Sequence, residues 1–517
     1  MTRADGHLTA DLDPQDHGPQ DACGVIGVYA PGEEVATLVY FGMYALQHRG
    51  QESAGMAVSD GRRTMVFKDM GLVSQVFDGP TLDTLKGSLA IGHTRYSTTG
   101  SSVWDNAQPT FRSRPGGGGL ALAHNGNLTN SEELEELIRA RDPEASVPHK
   151  ERMDSTSDTA LMSALMATYE GPIDEIAMKV LPVLKGAFSI VFMDDTMLCA
   201  ARDPQGIRPL VLGRLETGWV VASETAAIDI VGGTFVREVE PGELITISAA
   251  GLRSARFATA RPKGCIFEYV YLARPDTIIA NRRIHNVRVK VGKILAQQAP
   301  VDADLVIPVP ESGTPAAIGY ADESGIKYGM GLVKNSYVGR TFIQPSQTLR
   351  NLGIRLKLNP LRDVIEGKRL VVVDDSIVRG NTQRQLVAML RQAGAKEVHV
   401  RISSPPVKWP CFYGIDFATR AQLIAAGLSV EEIAASIGAD SLAYVSLEGL
   451  IQATHVPKDD LCRACFDGVY PVQVPPEADH LLADSPSATG RDHQATLPEA
   501  PQEDPSCPPP PSRTPPS

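Results

Sequence analysis

The chain has 517 residues, 43% of them hydrophobic and 21% charged. That length suggests two or three domains, each able to bury a real core, and the composition excludes a fibrous chain. No apolar run approaches the ~18 residues that a membrane span needs, and a formal charge of −12 gives no indication of a nucleic-acid-binding surface.

In chain order, residues 1–22 form an acidic leader with five Asp against Arg3. They lack the positive start and apolar centre of a signal peptide, so the expected compartment is the cytoplasm. From Cys23 to about residue 258 the chain reads as short, alternating apolar segments such as "LALAHNGNL" and "GAFSIVFMDD", broken by Gly-rich turns such as "RPGGGG". This pattern predicts antiparallel strands with a few helices. "TNSEELEELIRA" predicts one of those helices, with Asn130 or Ser131 capping the first turn and Leu134, Leu137 and Ile138 on one face.

From about 259 to 470 the rhythm changes to apolar strand, polar loop, helix. "DADLVIPVP" runs into "ESGTPAAIGYADESG", and "KRLVVVDD" runs into "SIVRGNTQRQLVAMLRQAGA" before the strand "EVHVRISS". Leu386, Met389, Leu390 and Ala393 have helical spacing, with Gly394 as the stop. Such units build a parallel sheet that binds ligands beyond the carboxyl ends of its strands, so chemistry is expected in the loops after Val309 and Asp375. Residues 471–517 hold 13 of the 38 prolines, seven acids and two Arg, and read as a disordered tail that contains Cys507. Subtracting the end charges of −4 and −5 leaves −3 for the middle of the chain.

In "VVVDDSIVRGNT" a buried strand ends in Asp374 and Asp375, and a small-residue loop then opens a helix. Backbone N–H groups of Ser376 to Thr382 at a helix N-terminus suit a phosphate, and two carboxylates suit Mg²⁺ or the hydroxyls of a sugar. The plainer alternative is that the acids simply cap the helix. The stretch resembles the phosphoribosyltransferase fingerprint. That resemblance implies that Asp374 and Asp375 face the ribose hydroxyls or Mg²⁺. It further implies that Arg379, Gly380, Asn381 and Thr382 line the 5-phosphate of phosphoribosyl pyrophosphate, and that "VPESG" takes the pyrophosphate with Ser312 as a further Mg²⁺ contact. Many relatives carry Thr at the position of Asn381 and Asp at that of Glu311. The segment "KNSYVGRTFIQPSQ" reads as a surface loop or as a lid whose Lys334, Tyr337 and Arg340 meet a polyanion and exclude water.

In the first half "DACGVIGV", "LQHRGQESAG", "GHTRYSTTG" and "LAHNGNLTN" occur in that order. Together they resemble the N-terminal-nucleophile glutamine amidotransferases, and joined to the phosphoribosyl motif they resemble the amidophosphoribosyltransferase family over roughly Cys23 to Pro471. The resemblance implies an α+β glutaminase domain of αββα layering (23–258), then an α/β phosphoribosyltransferase domain with a parallel sheet (259–470), flanked by a propeptide (1–22) and the tail (471–517). It implies that the leader is removed so that Cys23 becomes the nucleophile. Its new α-amine, with an ordinary pKa of ~7.7–8.0 against ~8.5 for a thiol, then serves as base without a catalytic His. It makes Asn125 and Gly126 the oxyanion hole, Arg95 the partner of the glutamine α-carboxylate and Asp158 the partner of its α-ammonium. His48 and Arg49 read equally as braces of a turn or as a site wall, and Asn125 with Gly126 also reads as a turn dipeptide.

Seven cysteines, an odd number without a secretion signal, argue against a disulfide framework. Cys462 and Cys465 form a CxxC, while Cys265 and Cys411 lie far upstream; spacing alone leaves zinc, a redox pair and a [4Fe–4S] cluster open. The resemblance assigns all four to the cluster of the iron–sulfur class, one cluster per subunit, and a structural clamp is its simplest role. Cys199 in "TMLCAARD" reads as core.

The expected function is the first committed step of purine synthesis: glutamine, water and phosphoribosyl pyrophosphate give 5-phosphoribosylamine, pyrophosphate and glutamate, with one Mg²⁺ per subunit. Purine nucleotide feedback and a homotetramer are implied by the resemblance only. The rivals are an amidotransferase acting on sugar phosphates and a catalytically inactive, nucleotide-sensing relative.

Overall fold

The computed structural model describes residues 23–96, 103–115, 117–142, 157–335, 357–415, 419–474 and 482. The leader, Tyr337, Arg340 and Cys507 lie outside the described residues.

The first half is built on two antiparallel sheets. The seven-stranded sheet runs Thr234–Glu238, Val211–Arg214, Trp219–Ala222, Gly24–Tyr29, Leu89–Arg95, Ser53–Ser59, Thr64–Met70; the six-stranded sheet runs Gly251–Arg256, Glu243–Ser248, Leu198–Arg202, Gly186–Met193, Gly119–Leu128, Thr110–Ser113. A shared core of Val25, Ile91, Ala123, Val191 and Ala200 fills the space between them. Outside the first sheet, Val39 and Met43 of helix Val35–Ala45 pack on Ile26 and Val28. Outside the second, Met162 and Leu165 of helix Asp158–Ala167 pack on Phe188 and Phe192. The result is helix, sheet, sheet, helix. Successive side chains of Gly24–Tyr29 still alternate, but between an inner and an outer core rather than between core and water, which is why "GVIGV" reads as an unbroken apolar run.

The second half holds a parallel sheet in the order Leu305–Pro308, Arg369–Asp374, Glu397–Ile402, Ser441–Tyr444. Val371 and Val373 face one core, with helices Ile284–Gln298 and Thr314–Ser324; Leu370 and Val372 face the other, with Leu386 and Leu390 of helix Asn381–Gln392. Gly394, at φ +98°, ends that helical run. The fold is therefore an αββα unit followed by an α/β unit with a parallel sheet, the two architectures expected from the sequence. One core crosses the junction: Ala187 and Ile207 from the first half cluster with Phe267, Val371 and Tyr413 from the second.

Two local expectations change. Helix Ser131–Arg141 buries Leu134 and Ile138 but leaves Leu137 40% exposed, so its apolar face is the narrower i, i+4 stripe. Asn130 stands at the N-cap position without a cap bond; its side chain instead donates to the Val183 carbonyl and accepts from Lys185 N, tying the helix start to a neighbouring turn. No helix among the described residues is long and apolar enough to cross a membrane.

Two candidate active sites and a cysteine cluster

Cys23 stands directly before the central strand of the first sheet, whose pairing Gly24↔Thr94 sets Cys23 level with Arg95. Its Sγ donates to the Tyr96 carbonyl at 3.3 Å. Burial pushes the thiol pKa up, Arg95 pulls it down, and the carboxylates of Glu52 and Asp158 push it up again. The structure thus brings Cys23, Arg95 and Asp158 into one electrostatic neighbourhood. Arg95 is buried, with Nη1 3.4 Å from Glu52 Oε2. Asp158 opens its helix behind the N-cap Ser157. One of its oxygens accepts from Leu128 N at 2.9 Å, the other from Thr159 N at 2.8 Å, and His124 Nδ1 lies 3.5 Å away. Burial alone would raise its pKa; His124 and the two backbone donors outweigh burial and hold it below the usual carboxylate range.

Asn125 and Gly126 lie in strand Gly119–Leu128, paired with Ser189 and Phe188, so their motif is strand rather than hairpin turn. Asn125 is fully buried, yet among the described residues neither its side-chain oxygen nor its side-chain nitrogen has a hydrogen-bond partner. A buried amide normally finds a partner, because leaving it bare costs about 1–3 kcal/mol. Gly126 adopts φ +149°, and a Cβ there would lie 2.0 Å from the Ala187 carbonyl oxygen, so only glycine fits.

His48 and Arg49 act as braces. Arg49 is fully buried between Glu224, bonded through Nε, and Glu268, whose Oε2 lies 2.6 Å from Nη2. His48 Nε2 lies 2.7 Å from Glu224. Burial opposes ionisation of Glu224, but Arg49 and His48 hold its pKa well below the ordinary range. Glu52, His124, Glu224 and Glu268 escape sequence reasoning. Glu52 and His124 do sit inside "QESAG" and "LAHNGNL", but only the fold reveals that they meet Arg95 and Asp158.

In the second half, strand Arg369–Asp374 delivers Asp374 and Asp375 to its carboxyl end, and Gly380, at φ +81°, turns the chain into helix Asn381–Gln392. Both carboxyls are buried and their pKa values are raised by that burial; Asp375 raises Asp374 further. Asp374 accepts from Gln383 Nε2 and Asp375 N, while Asp375 bonds the hydroxyls of Ser312 and Ser376 and feels the charge of Arg288. Ser312 and the acid pair therefore converge. Lys334 Nζ is 3.5 Å from Glu311 Oε2, beside the "VPESG" loop. Arg379 Nη2 donates to Gln422 at 3.1 Å and borders a cleft of about 540 Å³ shared with Arg384 and Arg420. Asn381 Oδ1 accepts from Arg384, and Thr382 is exposed at the helix start.

The four distant cysteines are brought into one region. Cys265 and Cys462 are register partners in a short parallel ladder, Gly264–Cys265 with Leu461–Cys462. Cys465 follows in helix Ala464–Asp467, and its carbonyl accepts from Lys408 N and Trp409 N, which brings the Cys411 segment alongside. Cys465 senses the charges of Cys265, Cys411 and Cys462. Burial pushes the Cys265 thiol up to about 11, and pushes Cys462 and Cys465 up as well. All six described cysteines are free thiols, with Cys199 buried in the first-half core. Among the described residues, no three His, Cys, Asp or Glu side chains form a group that could hold a metal ion.

Residues 93–229 match the family described as "Glutamine amidotransferase domain". Over 486 residues the chain is 59% identical to the amidophosphoribosyltransferase of Mycobacterium leprae, covering 91% of this chain and 87% of that protein. It is 52% identical to that of Synechococcus elongatus, over 91% of this chain and 96% of the relative. The solved glutamine phosphoribosylpyrophosphate amidotransferase of Bacillus subtilis, complexed with ADP and GMP, superposes with a TM-score of 0.81 at 45% identity, covering 88% of this chain and 98% of that one. With both halves, their order and nearly the full length of such relatives in common, the chain belongs to the amidophosphoribosyltransferase family, the enzymes of the first committed step of purine synthesis.

Proposed function

We propose that this chain forms 5-phosphoribosylamine in two half-reactions, with the residues above in the roles their surroundings suit. In the first, removal of residues 1–22 exposes Cys23. Its α-amine takes the thiol proton and Sγ attacks the glutamine side-chain carbonyl; the proton passes to the amide nitrogen, which leaves as ammonia, and water then cleaves the resulting thioester to release glutamate and restore the thiol. Arg95 would bind the α-carboxylate and Asp158 the α-ammonium. The observation that carries this reading is Asn125: a fully buried amide with no partner among the described residues, one residue from Gly126 on the strand whose far end Asp158 holds. A preorganised, unpartnered donor is what a developing oxyanion needs.

In the second half-reaction the ammonia displaces pyrophosphate at ribose C1. Asp374 and Asp375 are buried together with their ionisation opposed, so a divalent cation fits the pair. Bound there with Ser312, Mg²⁺ would neutralise charge on the departing pyrophosphate. Arg379, Gly380, Asn381 and Thr382 would hold the 5-phosphate; Lys334, with Tyr337 and Arg340, would close over the diphosphate. Internal passage of ammonia belongs to the same reading, because ammonia released at neutral pH becomes ammonium and loses its nucleophilic lone pair.

The four thiols, drawn from three distant segments, with Cys265, Cys462 and Cys465 buried and Cys411 half-buried, would be the ligands of a [4Fe–4S] cluster of the iron–sulfur class acting as a clamp, drawn closer by the cluster than they stand without it. Feedback by purine nucleotides is supported by the ADP and GMP bound to the Bacillus subtilis relative. We place a homotetramer and a cytoplasmic location in the same proposal. Nothing favours the catalytically inactive alternative. The test is C23S assayed with each nitrogen source: glutamine-dependent synthesis should vanish while synthesis from ammonia persists. Retention of glutamine-dependent turnover would refute the assignment of Cys23.

A further inference from the structure

A segment of the second half, Cys411 to Ile415, lies directly on the Asn125–Asn127 end of the first-half strand. Asn127 Nδ2 donates to the Phe412 carbonyl at 3.2 Å. At Gly414, φ is +96°, and a Cβ there would lie 3.0 Å from both Cα and C of Gly126 and 3.2 Å from its oxygen. Those atoms are backbone and have nowhere to go, because the other side of Gly126 already abuts the Ala187 carbonyl. The segment is itself fixed. Tyr413 is 1% exposed, its carbonyl accepts from Arg208 Nε at 2.8 Å, and its hydroxyl donates to the Val472 carbonyl and accepts from Val472 N at 3.1 Å.

Gly126 is therefore clamped between two backbones, one from each half of the chain. We infer that Gly414 is a positioning residue for glutamine hydrolysis: with the Phe412 carbonyl it sets the bend at Asn125–Gly126–Asn127, so that a part of the phosphoribosyltransferase half completes the geometry of the oxyanion hole. The inference rests on the reading of Asn125 and Gly126 given above. Gly414 is thus required on two grounds, its φ of +96° and its approach to the Gly126 backbone.

The clamp acts on a geometry used in the transition state, so its loss should appear in kcat rather than KM. In the processed full-length enzyme, G414A should lower kcat with glutamine at least about tenfold, with KM for glutamine within about twofold. Synthesis from ammonia should stay unchanged, and so should alkylation of Cys23 by iodoacetamide, a displacement that forms no oxyanion. N127A, which removes the bond to Phe412 without a backbone clash, should show the same pattern more weakly, and it decides the matter should G414A fail to fold. Glutamine kcat at the wild-type level in the folded variants, or glutamine- and ammonia-dependent rates falling together, would overturn the inference. C23S run in parallel separates the two claims: if it loses glutamine turnover while G414A keeps it, the clamp alone is wrong; if C23S keeps it, the underlying site assignment is wrong.

Discussion

At Asn125 a structural cost coincides with the catalytic use proposed for it. A fully buried carboxamide with no partner is destabilising by about 1–3 kcal/mol, and proteins keep such groups where function draws on them. Asn125→Ala should therefore leave the fold as stable as before or slightly more so, while lowering kcat for glutamine about 10²–10³-fold. Thermal unfolding measured beside steady-state rates with each nitrogen source checks both halves of that expectation; ammonia-dependent synthesis should be unaffected. Asn125 and Arg95 were singled out by motifs that occur in a fixed order, and Asp158 by the shorter "TSD". Their neighbours were not: Glu52 faces Arg95 across a strand pair, and His124 meets Asp158 over a separation of 34 residues, contacts that only the pleat and register of folded strands can specify.

At the scale of elements, strand Arg369–Asp374 with its following loop and helix is the clearest case of sequence dictating structure. Four consecutive apolar residues, Leu370 to Val373, are fully buried because the sheet is covered on both faces, and the polar pair that ends the run must emerge at the carboxyl edge. The acid pair is held in place by Gln383, Ser312 and Ser376, whereas its ionisation is opposed by burial, a penalty that the proposed Mg²⁺ would offset. Asp375→Asn should reduce glutamine- and ammonia-dependent synthesis equally, by at least about tenfold, and raise the Mg²⁺ concentration needed for half-maximal rate. Cys23 alkylation should be unchanged, since the thiol lies in the other half. A loss confined to glutamine would contradict the separation of the two sites. Where sequence reading slipped, at Leu137 and Asn130, the reason is local: periodicity marks a face but not how far the neighbouring strands extend to cover it, and a capping residue can be recruited by a turn that sequence does not place beside it.

At the scale of the molecule, the two halves are joined by charge as well as by the shared core. Arg49 and Arg208 of the first half both reach Glu268, at 2.6 and 3.3 Å, with every side chain no more than 2% exposed. Arg208 also grips the Tyr413 carbonyl, and the carbonyls of Glu268, Tyr269 and Ala273 are held by Arg288, whose charge reaches Asp375. Glu268 is 219 residues from Arg49 and 60 from Arg208, so no spacing in the sequence announces these pairs. A buried network of this kind is weak evidence of net stability, since desolvation offsets most of its Coulomb energy, but removing one member strands the others. Glu268→Gln keeps the volume and deletes the charge, leaving Arg49 with Glu224 and Arg208 without a carboxylate partner among the described residues. The expected loss is about 3–5 kcal/mol, read as a lower urea midpoint. Because the charge sits at the junction, the unfolding of E268Q should also separate into two transitions, one followed by Trp219 in the first half and one by Trp409 in the second. A variant that unfolds in one step at the wild-type midpoint would show that the apolar core alone couples the halves.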